Sequence, residues 1–179
     1  MWDYSASSTQ CAPWLGYSFK HISTNNVILD IVDPGITGVV LGDGVTSIGK
    51  NAFWECGVLS QVTISASVSF VEASAFSTCV SLRNFDVDEE NVVFKSIDGA
   101  LCSKDGRTLI KVPTGVSGNY VVPNGIELIA DYAFQGCTNL TSVTFPGDAP
   151  TSVAGTAFSG ISVECIYPAD NDTWTEAVL

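Results

Sequence analysis

The dipeptide Ala-Phe returns along this chain at near-constant intervals, and no other feature restricts the possible folds as much. Ala52-Phe53 and Ala75-Phe76 lie 23 residues apart, Ala133-Phe134 follows 58 later, and Ala157-Phe158 follows 24 after that. Self-similarity with a period of about 20–50 residues builds a stacked array, in which each copy buries its apolar side only against its neighbours.

The repeating unit is wider than the dipeptide. Five residues before each Phe stands an aliphatic residue: Ile48, Val71, Ile129 or Val153. Three after come Cys56, Cys79 and Cys137, and six after come Leu59, Leu82 and Leu140. Each Leu opens a Leu-x-x-apolar-x-apolar run: Leu59/Val62/Ile64, Leu82/Phe85/Val87 and Leu140/Val143/Phe145. Ile36/Val39/Leu41 has the same pattern 23 residues upstream of Leu59. These runs alternate apolar with polar, the period of a half-buried strand. The Ala-Phe segments are spaced more widely and are expected to turn the chain through short helical or 3₁₀ pieces. Stacked at about 4.8 Å, the strand spacing, equivalent positions form continuous internal ladders. The chain is 46% hydrophobic, which suits such a core.

The stretch Gly44-Val45-Thr46-Ser47-Ile48-Gly49-Lys50-Asn51-Ala52-Phe53, followed by Cys56 and by Leu59 to Ile64, resembles the BspA-type leucine-rich repeat. The resemblance covers 36–167. Asp3-Tyr4-Ser5 and Ala12-Pro13-Trp14 are similar to that family's lead-in segment, and Tyr167-Pro168-Ala169 through Trp174 to its exit segment. The resemblance implies a mainly β repeat solenoid with short helical or 3₁₀ turns, a right-handed leucine-rich-repeat stack carrying an inserted β-hairpin. It also implies a microbial surface protein that binds host proteins.

One structural domain is expected, with a lead-in or cap over 1–35, the solenoid over 36–167 and an exit segment over 168–179. The 58-residue gap equals one repeat of 23 and 35 further residues, placed at about 88–123. There, Asp98-Gly99 and Lys104-Asp105-Gly106 are turn signals between apolar stretches, so a hairpin or meander is expected, returning through Tyr120-Val121-Val122. The last repeat departs from the pattern, with Ile161 in the Cys slot and Glu164 in the Leu slot, as a terminal repeat must. Asn171 to Val178 is expected to form a short capping helix starting near Asp172 or Thr173.

Net charge is −12, from seven basic and nineteen acidic residues, which argues against nucleic acid and anionic membranes as partners. No apolar run reaches the roughly 18 residues of a membrane span. The first residues lack the basic start and apolar core of a signal peptide, which is taken as removed from a secreted or surface-displayed protein. Three of the six cysteines share one repeat slot, and all six are read as free thiols.

No catalytic constellation is found. His21 is the single histidine and has no Cys or Ser motif beside it, and Gly42-Asp43-Gly44 lacks the Lys-Ser/Thr of a phosphate loop. No enzyme activity and no cofactor are expected. Asp86 and Asp88 in the run Asp86 to Asn91 are the best metal candidates, read rather as a solvated acidic turn. If the apolar members of each strand face inward, Gln61 and Thr63 face outward beside Arg83 and Asp86, and beside Thr144 beyond the insertion. These five are the candidate protein-binding residues. The expected function is a non-catalytic adhesion or ligand-recognition module for an extracellular protein or glycan, present as a monomer or associating weakly through its ends. The alternative is a spacer or stalk of a larger surface protein.

Overall fold

The computed structural model describes residues 35–175 and, before them, only the backbone of two short strands, Trp2–Tyr4 and Val27–Ile28. The lead-in residues Ala12-Pro13-Trp14, the thiol of Cys11 and the single histidine His21 therefore lie outside the described residues. Each circuit of the chain makes one long strand, a corner, one short strand and an Ala-Phe turn. The long strands Trp2–Tyr4, Gly38–Leu41, Gln61–Ile64 and Asn84–Val87 form a parallel four-stranded sheet in that order. A second parallel sheet holds Gly118–Val121, Leu140–Thr144 and Glu164–Ile166. Val39, Val62 and Phe85 stand side by side in register and are buried, and Leu41 and Ile64 form the next inward row. The two-residue alternation of the sequence thus becomes alternating burial along each strand.

The Ala-Phe segments are chains of β-turns; among the described residues no helix occurs. Trp54 N donates to Asn51 O at 3.0 Å and Cys56 N to Phe53 O at 3.2 Å, which are turn bonds that do not propagate. Two left-handed residues account for this: Asn51 (φ 56) before the Ala and Glu55 (φ 62) before the Cys bend the backbone out of a continuous helix. The slot before Cys is Glu55, Thr78 and Gly136 in successive Ala-Phe repeats, all at positive φ. Each turn also ties to the next, since Phe53 N donates to Ala75 O at 2.8 Å and Phe134 N to Ala157 O at 2.9 Å. Inside, the rings of Phe53 and Phe76 stack at 5.1 Å and those of Phe134 and Phe158 at 4.6 Å.

Within 88–123 the structure finds a further repeat as well as a hairpin. Phe94–Ile97 and Ala100–Ser103 pair as an antiparallel hairpin, with Asp98 (φ 49) and Gly99 (φ 80) in the left-handed turn such hairpins favour. Thr108–Lys111 pairs antiparallel with the hairpin and parallel with the short strand Leu128–Ile129, so it is itself the short strand of a repeat. Val112 N then donates to Ala133 O at 2.9 Å, the bond that Phe makes in the regular repeats. The 58-residue gap is therefore 36 residues to Val112 and 22 more to Phe134. Tyr120 and Val121 belong to the long strand of the next circuit, outside the meander.

The hairpin stands between two cores. Leu101 packs with the N-terminal cluster that runs from Ile36 to Phe94, and its neighbours Ala100 and Cys102 pack with the C-terminal cluster that runs to Ala157. The hairpin tip also takes the edge that the next long strand would use: Phe85 N donates to Gly99 O at 2.9 Å, and Ser96 Oγ to Phe85 O at 2.6 Å. Lys111, 1% exposed, stands just before Val112, where regular repeats carry Ala. Its ammonium donates to Tyr132 O at 2.9 Å and Gln135 O at 2.8 Å, bridging to the turn of the next repeat.

At the C-terminal end the last strand, Glu164–Ile166, is exposed along its whole length. The expected capping helix is absent from the described part of its span. Asn171 heads a turn instead, its Oδ1 accepting from Thr173 N at 3.0 Å. Trp174 closes the end, its ring 5.1 Å from Phe145 and 4.8 Å from Tyr167, and its Nε1 donates to Gly147 O at 3.1 Å.

Candidate recognition faces

Parallel register fixes the outward rows. Val40, Thr63 and Asp86 align across one sheet, and Gly38, Gln61 and Asn84 align beside them. Thr63 and Gln61 are half-buried by their neighbours, whereas Arg83 and Asp86 are exposed. A shallow depression lies over the strands Gly38–Leu41 and Gln61–Ile64, lined by Gly38 and Val40 and by Ser60, Gln61 and Thr63. Gln61, Thr63 and Asp86 thus share one face, whereas Arg83 precedes the strand Asn84–Val87, level with Ser60, and stands in neither row.

Thr144 lies on the other sheet. Its outward row is Val121, Thr144 and Ile166, beside Asn119, Ser142 and Glu164. The tip of the hairpin separates the two faces, so the five candidates do not form one surface. The hydroxyl of Thr144 is already engaged, donating to Asn119 Oδ1 at 2.9 Å alongside Ser142 Oγ at 2.9 Å. Val121 and Ile166, which flank Thr144, are 51% and 42% exposed. Neither is among the five candidates, although each lies one repeat from Thr144, Val121 23 residues before it and Ile166 22 after.

Asp86 lies in the strand Asn84–Val87 and Asp88 just beyond it. The strand ends at Val87, and the Asp88 carboxylate turns back to accept from Glu90 N at 2.8 Å. Among the described residues no group of three or more His, Cys, Asp or Glu side chains is arranged to hold a metal. Cys79, Cys102, Cys137 and Cys165 carry free thiols, and Cys56 is buried in the same slot as Cys79. Burial pushes the Cys79 and Cys137 thiols up to about 12 and Cys102 up to about 11, which keeps them protonated and unreactive. Burial also holds Lys111 down to about 8. Among the described residues no helix is long and apolar enough to cross a membrane.

Among curated protein sequences no relative is found. Among solved structures, a leucine-rich repeat protein from Eubacterium ventriosum is 18% identical with a TM-score of 0.53, over 74% of this chain and 50% of that one. The pneumococcal vaccine antigen PcpA is 21% identical with a TM-score of 0.49, over 72% of this chain and 39% of that one. A leucine rich cell surface protein from Faecalibacterium prausnitzii is 25% identical with a TM-score of 0.46, over 66% of this chain and 37% of that one. The chain thus spans half or less of the length of these structures. The family model of the BspA type leucine rich repeat region matches 33–117 and 114–176 in six copies, and the chain belongs to that family.

Proposed function

We propose that this chain is a non-catalytic recognition module of a secreted or surface-displayed bacterial protein, binding an extracellular protein through the outward rows of its long strands. One observation supports the reading: in a repeat of this family, Gln61, Thr63 and Asp86 lie in the outward rows of one parallel sheet, with Arg83 exposed at its margin. Such a face presents polar groups on a rigid backbone, which is how solenoids offer extended surfaces to partners. Burial holds the Cys79, Cys102 and Cys137 thiols protonated, which favours binding over thiol chemistry.

A pull-down of the chain against matrix and serum proteins tests it, followed by Ala replacement of Thr63, Asp86 and Thr144. Capture weakened by Thr63→Ala and Asp86→Ala supports the face. Capture untouched by all three replacements removes it. The second reading, a spacer whose partner is bound elsewhere, draws on the small size of each face, and predicts that no protein is captured at all.

A further inference from the structure

The corner where long strands turn into short ones is filled by side-chain hydrogen bonds at its start in the N-terminal half and leaves a cleft there in the C-terminal half. In the first half successive corner loops are stitched by side chains. Ser65 Oγ donates to Gly42 O at 3.2 Å and Ser67 Oγ to Val45 O at 2.8 Å, and Asn91 Nδ2 reaches both Ser65 O and Val68 O at 2.8 Å. In the second half, Pro123 and then Pro146, Gly147 and Ala149 stand at the corresponding places and bring no side-chain donor. These loops are tied at their far side, where Thr151 Oγ1 donates to Glu127 O at 3.0 Å and Thr173 Oγ1 accepts from Ala149 N at 2.8 Å. The later loop is also longer, with eight steps from Phe145 to Val153 against seven from Val122 to Ile129. A cleft of about 560 Å³ opens between these loops, which lies within the usual range for ligand sites.

Its chemistry is specific. Ile126 and Phe145 form an apolar floor, while Asn124, Glu127 and Asp148 stand on the rim. No Lys, Arg or His lines it. Asn171 Nδ2 donates to Asp148 Oδ1 at 2.9 Å and so orients that carboxylate, whereas Glu127 is held by Arg107 at 3.5 Å. An anionic ligand would meet rim carboxylates on a chain of net charge −12. A sugar would need an open aromatic face, and Phe145 is 5% exposed with Trp174 against it. A long aliphatic stem with a cationic head fits both the floor and the rim.

We propose that this cleft receives a lysine or arginine side chain from a basic segment of a partner protein, with the stem over Ile126 and Phe145 and the cation at Asp148. The proposal rests on the recognition reading only in taking the partner to be a protein. It concerns a different surface from the sheet face.

The test is an NMR titration of the ¹⁵N-labelled chain with acetylated hexalysine and hexaarginine amides, and with hexaglutamate and a neutral oligosaccharide for comparison. Saturable shifts confined to the amides of Gly125, Gly147, Ala149 and Thr151 are expected for the basic peptides only. Asp148→Asn should weaken that binding about threefold to fivefold, the range of a single exposed ion pair. Asp148→Lys should abolish it, with an unchanged Trp174 indole resonance showing that the loop is intact. Thr63→Ala and Asp86→Ala should leave it unchanged, so failure here is distinguishable from failure of the sheet face. Shifts spread over Asp86 to Glu90 and insensitive to Asp148→Asn would overturn the proposal, as would saturable binding of the oligosaccharide at these amides.

Discussion

Replacing Asn91 by Ala tests what holds the hairpin to the stack. Asn91 is 0% exposed. Its Nδ2 donates to Ser65 O and Val68 O, both at 2.8 Å, and its Oδ1 accepts from Val93 N at 2.9 Å and Phe94 N at 2.7 Å. The full capacity of the amide is used. Alanine leaves two carbonyls and two N–H groups behind in a corner with little water. Ser65 O keeps a second donor, Val68 N at 3.3 Å, so three groups lose most. At about 1–3 kcal/mol for each orphaned group, less what an entering water restores, the expected destabilisation is about 3–5 kcal/mol. That is a large share of the roughly 5–15 kcal/mol stabilising a typical domain, and corresponds to about 10 °C or more in Tm.

Urea unfolding of wild type and variant, with both slopes compared, gives the value. Hydrogen exchange at the Ala100 and Cys102 amides shows whether the hairpin opens first. Asn119→Ala is the control: it also removes two side-chain bonds, but at an exposed site, and should cost under about 1 kcal/mol. Asn91→Asp keeps the acceptor and turns a carboxylate toward two carbonyls. It should be at least as harmful as Ala at pH 7 and should recover as pH falls, because burial raises the folded-state pKa of such a group above its unfolded value. A loss below about 1 kcal/mol for Asn91→Ala would refute the reasoning, since it would mean the corner carries its own water or relaxes freely.

The buried ionisable groups set opposite pH trends. The folded pKa of Lys111 is about 8 against 10.5 unfolded, so the unfolded chain binds more protons between those values and stability should rise there by up to about 1.4 kcal/mol per pH unit. The thiols of Cys79, Cys102 and Cys137 are raised above 9.0, so their contribution is present below pH 9 and is lost as pH climbs toward 11–12. Urea midpoints from pH 7 to 10 should therefore pass through a maximum near pH 9, and Lys111→Met should remove the rise while keeping the fall; an unchanged profile excludes Lys111 as its source. Tyr120 has a buried hydroxyl with no hydrogen-bond partner, so Tyr120→Phe should be neutral or stabilising by about 1 kcal/mol in the same assay, and a loss of that size would contradict it. Gly115→Ala would place its Cβ 2.7 Å from Leu82 O and from Ser81 C, forcing the backbone apart, and should lower stability by about 2 kcal/mol or more; a change within about 0.5 kcal/mol would show that the approach can relax.

Much of this fold was legible because one repeat position carries one physical duty. Phe53, Phe76 and Phe134 are fully buried, and the Leu-x-x-apolar-x-apolar runs became the inward rows. The repeat hidden at Thr108–Lys111 escaped notice because its signature is gone. Val112 stands for Phe and Lys111 for Ala, and the bonds that define the turn are backbone bonds that any sequence can make. A lysine in a core slot reads as surface until the carbonyls of Tyr132 and Gln135 are in view. The turns are expected as helical because their spacing is wide, yet the left-handed slot before the Cys is filled by Glu55, Thr78 and Gly136 in turn, so residue type does not announce it. Outward direction was legible from alternation. The division of the faces was not, since it depends on where the Asp98-Gly99 tip docks.

That division sets a size problem for recognition. A face of four strands at about 4.8 Å spacing and four residues at about 3.3 Å covers roughly 250 Å², and the three-stranded face covers less. A stable protein interface buries about 800 Å² on each partner. A partner of the sheet face must therefore cross the hairpin tip, wrap onto the corners or engage further repeats. A segment leaving the C-terminal face at the Val121–Thr144–Ile166 row passes next over the corner loops, where Asp148 and the cleft lie. Simultaneous use of both surfaces links two weak sites into one, and the second contact then benefits from an effective concentration in the millimolar range. Coupling of this kind has a measurable signature: Thr63→Ala and Asp148→Asn would each weaken capture of an intact partner, while the titration with short basic peptides would respond to Asp148→Asn alone.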